Sequence, residues 1–215
     1  MRHPTHVGEL RPSQLLHTFG VGSTVELPEL TTLVLGLDEW PDVLGQAVSE
    51  PRLLAAARAK VGAQVERLLT PPVVPEGEST GVPVAPFPRW LRCPLCNLLA
   101  PIDDGLFTLM PDPWRPERTT YVHEGCSKNR ARRPPSAYPA RYLMTCANGH
   151  LDDFPWVEFL HGPVACKGTL RLVELGKGGR PGDIQVSCDG CGRRRRLSQA
   201  FGEEARPFLP PSCRG

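Results

Sequence analysis

Apolar residues recur at spacings of three and four in one stretch of this chain. Between residues 50 and 69, Leu54, Ala57, Val61, Val65 and Leu68 form a stripe, with Arg58, Lys60, Gln64 and Arg67 off it. That period predicts an amphipathic helix, stopped by Thr70-Pro71-Pro72 because proline cannot continue a helix. Elsewhere the pattern is short and alternating. Thr24–Leu27 and Thr31–Leu37 predict a hairpin of short strands, Leu106–Leu109 a brief strand, and Thr169–Leu175 with Asp183–Ser187 a second hairpin across Gly176–Gly182. Arg11–Leu16 reads as a short helical start. So does Leu151–Trp156, with an aspartate near the N-cap and a proline close to the first turn. Gly20-x-Gly22 reads as a tight turn rather than a phosphate cradle, since glycine serves wherever the backbone needs positive φ. No repeat of 20 to 50 residues is present.

Composition adds a constraint. The 215 residues include 25 prolines and 21 glycines, while aromatic residues make up 7%, so the chain is loop-rich and the apolar core alone is modest. Six of those prolines (71, 72, 75, 83, 86 and 88) fall between Pro71 and Pro88, which predicts a linker or long surface loop. Charge changes there too: residues 1–87 carry six basic and ten acidic groups, residues 88–215 nineteen and thirteen. The expected architecture is α+β, with a small N-terminal α/β module over residues 1–70, a Pro-rich break over 71–88, and a loop-rich, zinc-ribbon-like region of short antiparallel strands over 89–215. The basic balance of the second part suits a polyanionic partner. The first residues lack the apolar core of a signal peptide and no run approaches the length of a membrane span, so the expectation is a cytoplasmic protein with no membrane contact.

All eight cysteines lie in the basic part. In a reducing compartment persistent disulfides are disfavoured, and thiolate coordination of metal becomes the simplest use. Cys93-x2-Cys96 and Cys188-x2-Cys191 each put two thiolates on one tight knuckle, the bite a tetrahedral zinc ion accepts. Two ions are expected, each held by a closed, structural set. One set takes Cys93, Cys96 and Cys126, with Cys146 or His150 as fourth ligand; the other takes Cys166, Cys188, Cys191 and Cys213. Crossed pairing between the sets stays open.

Catalytic patterns fail. His123-Glu124 lacks the second histidine of H-E-x-x-H and the spacing of the zinc deaminases, and Gly176–Arg180 reads as a hairpin tip rather than a P-loop. Asp103-Asp104 and Asp152-Asp153 read as turn and cap residues in preference to a nuclease metal site. The expectation is a non-enzyme with no small-molecule substrate. Cations gather at Lys128, Arg130, Arg132 and Arg133, and at Arg193, Arg194, Arg195 and Arg196 directly after a cysteine knuckle. Arginines on a rigid knuckle suit bidentate phosphate contact, so DNA backbone binding is expected.

Several strings together resemble a known family: VGELRPSQLL at 7–16, FGVG at 19–22, GLDEW at 36–40, FPRWLRCPLC at 87–96 and CANGHLDDFPW at 146–156. They are similar to the N-terminal part of DrmB-like proteins of DISARM anti-phage systems, whose members are several times longer. The resemblance implies an accessory subunit of a defence complex that partners a helicase-like protein on foreign DNA, beside a methyltransferase and a phospholipase-D-like protein. The competing class is a protein-interaction scaffold with structural zinc and no DNA contact.

Overall fold

The computed structural model describes residues 14, 17–40, 45–71, 82–112, 118–164, 166–176 and 179–209. The fold is α+β and mostly antiparallel, in two compact units: Met1–Glu26 with Thr32–Pro86, and Leu27–Thr31 with Phe87–Gly215.

In the first unit, β1 (Thr24–Leu27), β2 (Leu30–Val34) and β3 (Val84–Pro86) form a sheet in that order. Alternation along β2 sends Leu30, Thr32 and Val34 inward, and Val25, Val34, Val82 and Val84 make a small core flanked by Phe19 and Trp40. Thr32 is tolerated there because its hydroxyl donates to the Val25 carbonyl at 3.3 Å. β3 corrects the reading of Pro71–Pro88 as a break throughout: its C-terminal part pairs antiparallel with β2, Val84 opposite Val34 and Pro86 opposite Thr32. Residues 72–81 lie outside the described residues. Gly22, at φ +82°, makes the expected turn and donates to the Val34 carbonyl.

Helix α1 (Pro51–Val61) is shorter than the stripe implied. Glu50 caps it by accepting from Arg52 N–H at 3.1 Å and Pro51 sits in its first turn. Gly62 then adopts φ +125° and ends it, after which Arg58 Nε donates to the Val65 carbonyl at 2.7 Å and ties the following segment to the helix. Thr70 N–H returns to the Gln46 carbonyl and Leu69 bridges Ala47. The helical start expected at Arg11–Leu16 lies largely outside the described residues.

The second unit is built on an eight-stranded sheet, antiparallel throughout, with order β13-β12-β11-β5-β4-β8-β7-β6. Its strands are β4 (Trp90–Arg92), β5 (Leu98–Pro101), β6 (Thr108–Met110), β7 (Thr120–Val122), β8 (Ser136–Pro139), β11 (Leu170–Glu174), β12 (Ile184–Cys188) and β13 (Arg194–Arg196). β9 (Leu143–Thr145) and β10 (Leu151–Asp153) form a separate hairpin, and α2 spans Trp156–His161. The hairpin corrects the helix start read at Leu151: cross-strand pairing with Leu143–Thr145 overrides the local cap signal, and the helix begins at Trp156 without a side-chain cap.

Three aromatics form the centre of the main core of the second unit. Trp156 meets Phe154 in a tilted contact at 4.6 Å and Phe154 meets Phe159 edge-on at 5.2 Å. This group packs with Leu99, Leu170, Leu172, Ile184, Val186 and Leu197, and Cys188 belongs to the same core. The cysteine knuckle is thereby anchored to the main apolar cluster.

Candidate metal centres

Strand turns bring the cysteines together in two clusters. Cys93 and Cys96 lie on the turn between β4 and β5, where Asn97 N–H bonds the Cys93 carbonyl and Asn97 takes φ +60°. His123 directly follows β7 and Cys126 lies three residues on. Those four residues form one group, all buried. His161 ends α2, Cys166 precedes β11, and Cys188 and Cys191 bracket the turn from β12 toward β13; these form the second group. Within each group the candidate ligand atoms lie within 4.8 Å of one another.

The dimensions fit a tetrahedral ion. Thiolates about 2.3 Å and imidazole nitrogens about 2.0–2.1 Å from such an ion stand roughly 3.8 Å apart for S–S and roughly 3.5 Å for S–N. The structure gives 3.8 Å for Cys93–Cys126, 3.7 Å for Cys166–Cys188 and 3.4 Å from Cys96 Sγ to His123 Nδ1. His161 supplies a second test: it is buried, and both its ring nitrogens lack a hydrogen-bond partner among the described residues. Such a group is costly unless something outside the protein satisfies it, and an ion held by the three neighbouring sulfurs does so. A third test is the close approach of backbone to sulfur. A Cβ on Gly168 would lie 2.4 Å from Cys188 Sγ, so only glycine fits there. Each cluster can therefore hold one metal ion.

Electrostatics differ between the clusters. Burial, with the Cys96 thiol beside it, pushes Cys93 up to about 11, although the backbone N–H groups of Cys96 and Leu95 oppose this. Burial also acts on Cys188, yet N–H bonds from Cys191 and Gly190 and the neighbouring His161 ring outweigh it and draw the thiol down to about 6. Cys126 is lowered in the same way, the N–H groups of Lys128 and Asn129 overcoming its burial. His123 is lowered by burial and by the Arg171 charge, which keeps the ring in the neutral form a metal requires. Phe107 packs edge-on against that ring at 5.6 Å and orients it.

Arg171 links the two knuckles. From β11 its Nε donates to Asp189 Oδ2 at 2.8 Å, inside the Cys188–Cys191 turn, and its Nη1 donates to the Cys96 carbonyl at 3.1 Å. One planar guanidinium thus holds both turns in a fixed relation.

The fourth ligands differ from expectation. In the first cluster His123 stands beside the three thiols, because β7 delivers it next to the Cys93–Cys96 turn, while Cys146 and His150 sit on the β9–β10 hairpin. In the second cluster His161 stands with Cys166, Cys188 and Cys191; Cys213 lies outside the described residues. A signal for the first was present: His123-x2-Cys126 has the same bite as a C-x2-C pair. His161-x4-Cys166 carried a weaker one.

The paired aspartates serve the frame. Asp153 is buried and its Oδ1 accepts Arg89 N–H at 2.8 Å, while Asp103 pairs with the Arg89 side chain. Asp152 Oδ1 accepts the Asp153 N–H. Two distant strings, FPRW and LDDFPW, meet at Arg89 in this way.

The basic residues divide as well. Lys128, Arg130, Arg132 and Arg133 are all exposed on the loop after Cys126. Asn129 shapes that loop: Nδ2 donates to the Arg133 carbonyl and Oδ1 accepts Ala131 N–H, both at 3.0 Å. In the second group, Arg193 donates to the His161 carbonyl at 2.7 Å and Arg195 lies over the Phe159 ring at 5.5 Å. Arg194 and Arg196 are exposed on the other face of β13, beside an open hollow of about 320 Å³ shared with Gln185, Ser198 and Gln199.

A family model described as a domain of unknown function (DUF8724) matches residues 11–215. The chain belongs to the DUF8724 family. This DUF8724 chain is also distantly homologous to the DISARM protein DrmB of Bacillus paralicheniformis, with 29% identity over 151 residues, or 66% of this chain. The aligned part covers 23% of that relative, so the chain spans about a quarter of its length. No described helix of the DUF8724 chain is long and apolar enough to cross a membrane.

Proposed function

We propose that this chain is a zinc-dependent, non-enzymatic accessory subunit of a DISARM-like anti-phage complex, acting in the cytoplasm at the DNA backbone beside a helicase-like protein. Two ions bind, one to Cys93, Cys96, His123 and Cys126 and one to His161, Cys166, Cys188 and Cys191. Zinc suits these sets because thiolate and imidazole in a closed tetrahedron are its preferred donors, and no ligand position is left for a reacting water. Its role is to cross-link strand turns that a loop-rich chain with few aromatics would not hold by burial alone.

The observation that carries DNA contact is the Lys128–Arg133 loop. Four exposed cations are mounted on the Cys126 turn, whose Lys128 and Asn129 N–H groups bond the sulfur, and Asn129 fixes the loop beyond. A preordered loop binds phosphate with little added ordering cost. Arg194 and Arg196 are the second contact; Arg193 and Arg195 hold the frame. Homology to the DISARM protein DrmB supports the assignment to a defence complex; the helicase-like partner is what the family resemblance implies. No membrane or small-molecule substrate enters this reading.

Anisotropy titrations with single- and double-stranded DNA at two salt concentrations test it. Replacing Lys128, Arg130, Arg132 and Arg133 by Ala is expected to weaken affinity and to flatten the log K against log salt slope by about 0.9 per lost duplex phosphate contact. Arg194→Ala with Arg196→Ala has a smaller effect. Absence of affinity at low salt for the intact chain would replace this reading by a scaffold that docks protein alone.

A further inference from the structure

Cys191 differs from the other five clustered thiols in its access. It is exposed on the turn after β12, while Cys166 is half-buried and Cys188 and the three thiols of the first cluster are buried. The Cys188 sulfur is also roofed by backbone. Gly168 and Gly190 close over it so tightly that a Cβ on Gly168 would lie 2.4 Å from that sulfur, and one on Gly190 would lie 2.9 Å from the Gly168 Cα. A solute that meets the second cluster therefore reaches Cys191 first. Cys166, on the segment before β11 rather than in a strand, has its sulfur within 4.8 Å of the Cys191 sulfur.

We propose that Cys191 is an oxidation site: a hydroperoxide converts it, with Cys166, to a disulfide and expels the ion of the second cluster, while the sealed first cluster keeps its own. The Cys191 thiolate attacks the peroxide, an S–O bond forms as the O–O bond breaks, and hydroxide leaves. The Cys166 thiolate then attacks that sulfur; the S–S bond forms, the S–O bond breaks and a second hydroxide leaves. Two electrons pass from the two thiolates to one peroxide, and the hydroxides take up protons as water. Closure to an S–S bond of about 2.05 Å asks the two sulfurs to approach by less than about 3 Å. The ion, left with Cys188 and His161 alone, dissociates. The turn persists without it, because Arg171 still bonds Asp189 and Arg193 still bonds the His161 carbonyl.

The proposal rests on the zinc reading of the second cluster, and its test lets the two fail differently. Tag-free protein is counted for zinc, treated with hydrogen peroxide beside a zinc dye, and digested under non-reducing conditions for mass spectrometry. The expected result is two ions before treatment, one released per chain, a Cys166–Cys191 cross-linked peptide pair and an unchanged circular dichroism spectrum. Dithiothreitol with added zinc restores the ion. Cys191→His, which keeps a ligand without an oxidisable thiol, is expected to hold both ions at the same peroxide dose; should that variant start with one ion, the cross-linked peptides of the parent decide. Release of neither ion, release of both at one rate, or a linkage other than Cys166–Cys191 overturns the proposal and leaves the metal centres standing. A count below two before treatment overturns the zinc reading, and the proposal with it.

Discussion

The two four-ligand clusters share a composition, three cysteines and one histidine, but not an environment. In the first, Cys93, Cys96, His123 and Cys126 are all buried. In the second, His161 and Cys188 are buried, Cys166 is half-buried and Cys191 is exposed. The same donor set is thus a sealed clamp in one place and an open one in the other. The difference follows from position: the first cluster lies between strand turns on the β4–β5 and β7–β8 side of the sheet, whereas the second grips the end of β12 with one ligand inside the main core and one at the turn tip.

The largest effect that tests the contrast is loss of a ligand from each side. Structural zinc contributes about 10–16 kcal/mol in small peptides, comparable with the whole stability of a typical domain. Cys93→Ala is expected to abolish the thermal unfolding transition of the second unit. Cys191→Ser, at an exposed position, is expected to leave a folded protein that holds its second ion more weakly. With the intact protein, a chelator should remove the second cluster's ion first, and stopped-flow release with a zinc dye should resolve that phase. Equal rates of release, or equal damage from the two substitutions, would mean that burial does not distinguish the two centres.

Arg171 sets how far the clusters act together. Arg171→Ala removes charge-assisted bonds to Asp189 and to the Cys96 carbonyl, at a cost of about 1.5–3 kcal/mol each at most and less for the more exposed partner. Arg171→Lys should rescue little, because a single ammonium cannot span both turns in the guanidinium geometry. Differential scanning calorimetry and chelation kinetics on both variants measure this. A lysine variant that behaves as the parent does would remove Arg171 as the link.

A smaller effect belongs to Asp153. Its pKa is raised by burial, against the N–H bonds of Arg89 and Trp90. The folded value therefore lies above the unfolded one, near 4, so the stability gained on protonation is full below that pH and is lost as pH rises through the folded value. Asp153→Asn keeps an acceptor and should flatten this part of the pH–stability curve. Asp153→Ala leaves two N–H groups without their acceptor and should cost about 1–3 kcal/mol by urea denaturation. Matching pH profiles for the parent and the asparagine variant would contradict the assignment.

Much of the second unit was legible in the chain. Leu170 and Leu172 alternate as do Ile184 and Val186, and both pairs point into the core from the hairpin their spacing implies. The two C-x2-C knuckles, with Cys126 and Cys166 added by chain distance, are the six cysteines that the structure brings into the two clusters. His123 and His161 were hidden for a physical reason: an isolated histidine carries no period, and its role depends on which strand end the sheet places beside it. The β9–β10 hairpin was missed because three-residue strands are too short to show alternation, and Asp153 looked like a cap while it serves a backbone sixty-four residues away. The helix stripe overran because Gly62 ends α1 through its dihedral angle, which periodicity does not register.

In this reading a histidine stands as fourth ligand in each of the two clusters. Zinc counted on purified His123→Ala and His161→Ala proteins, against the parent, tests it most directly. The expected result is the loss of one ion in each variant and of both in the double variant. Unchanged zinc in both single variants would contradict it and return the fourth ligand positions to other residues.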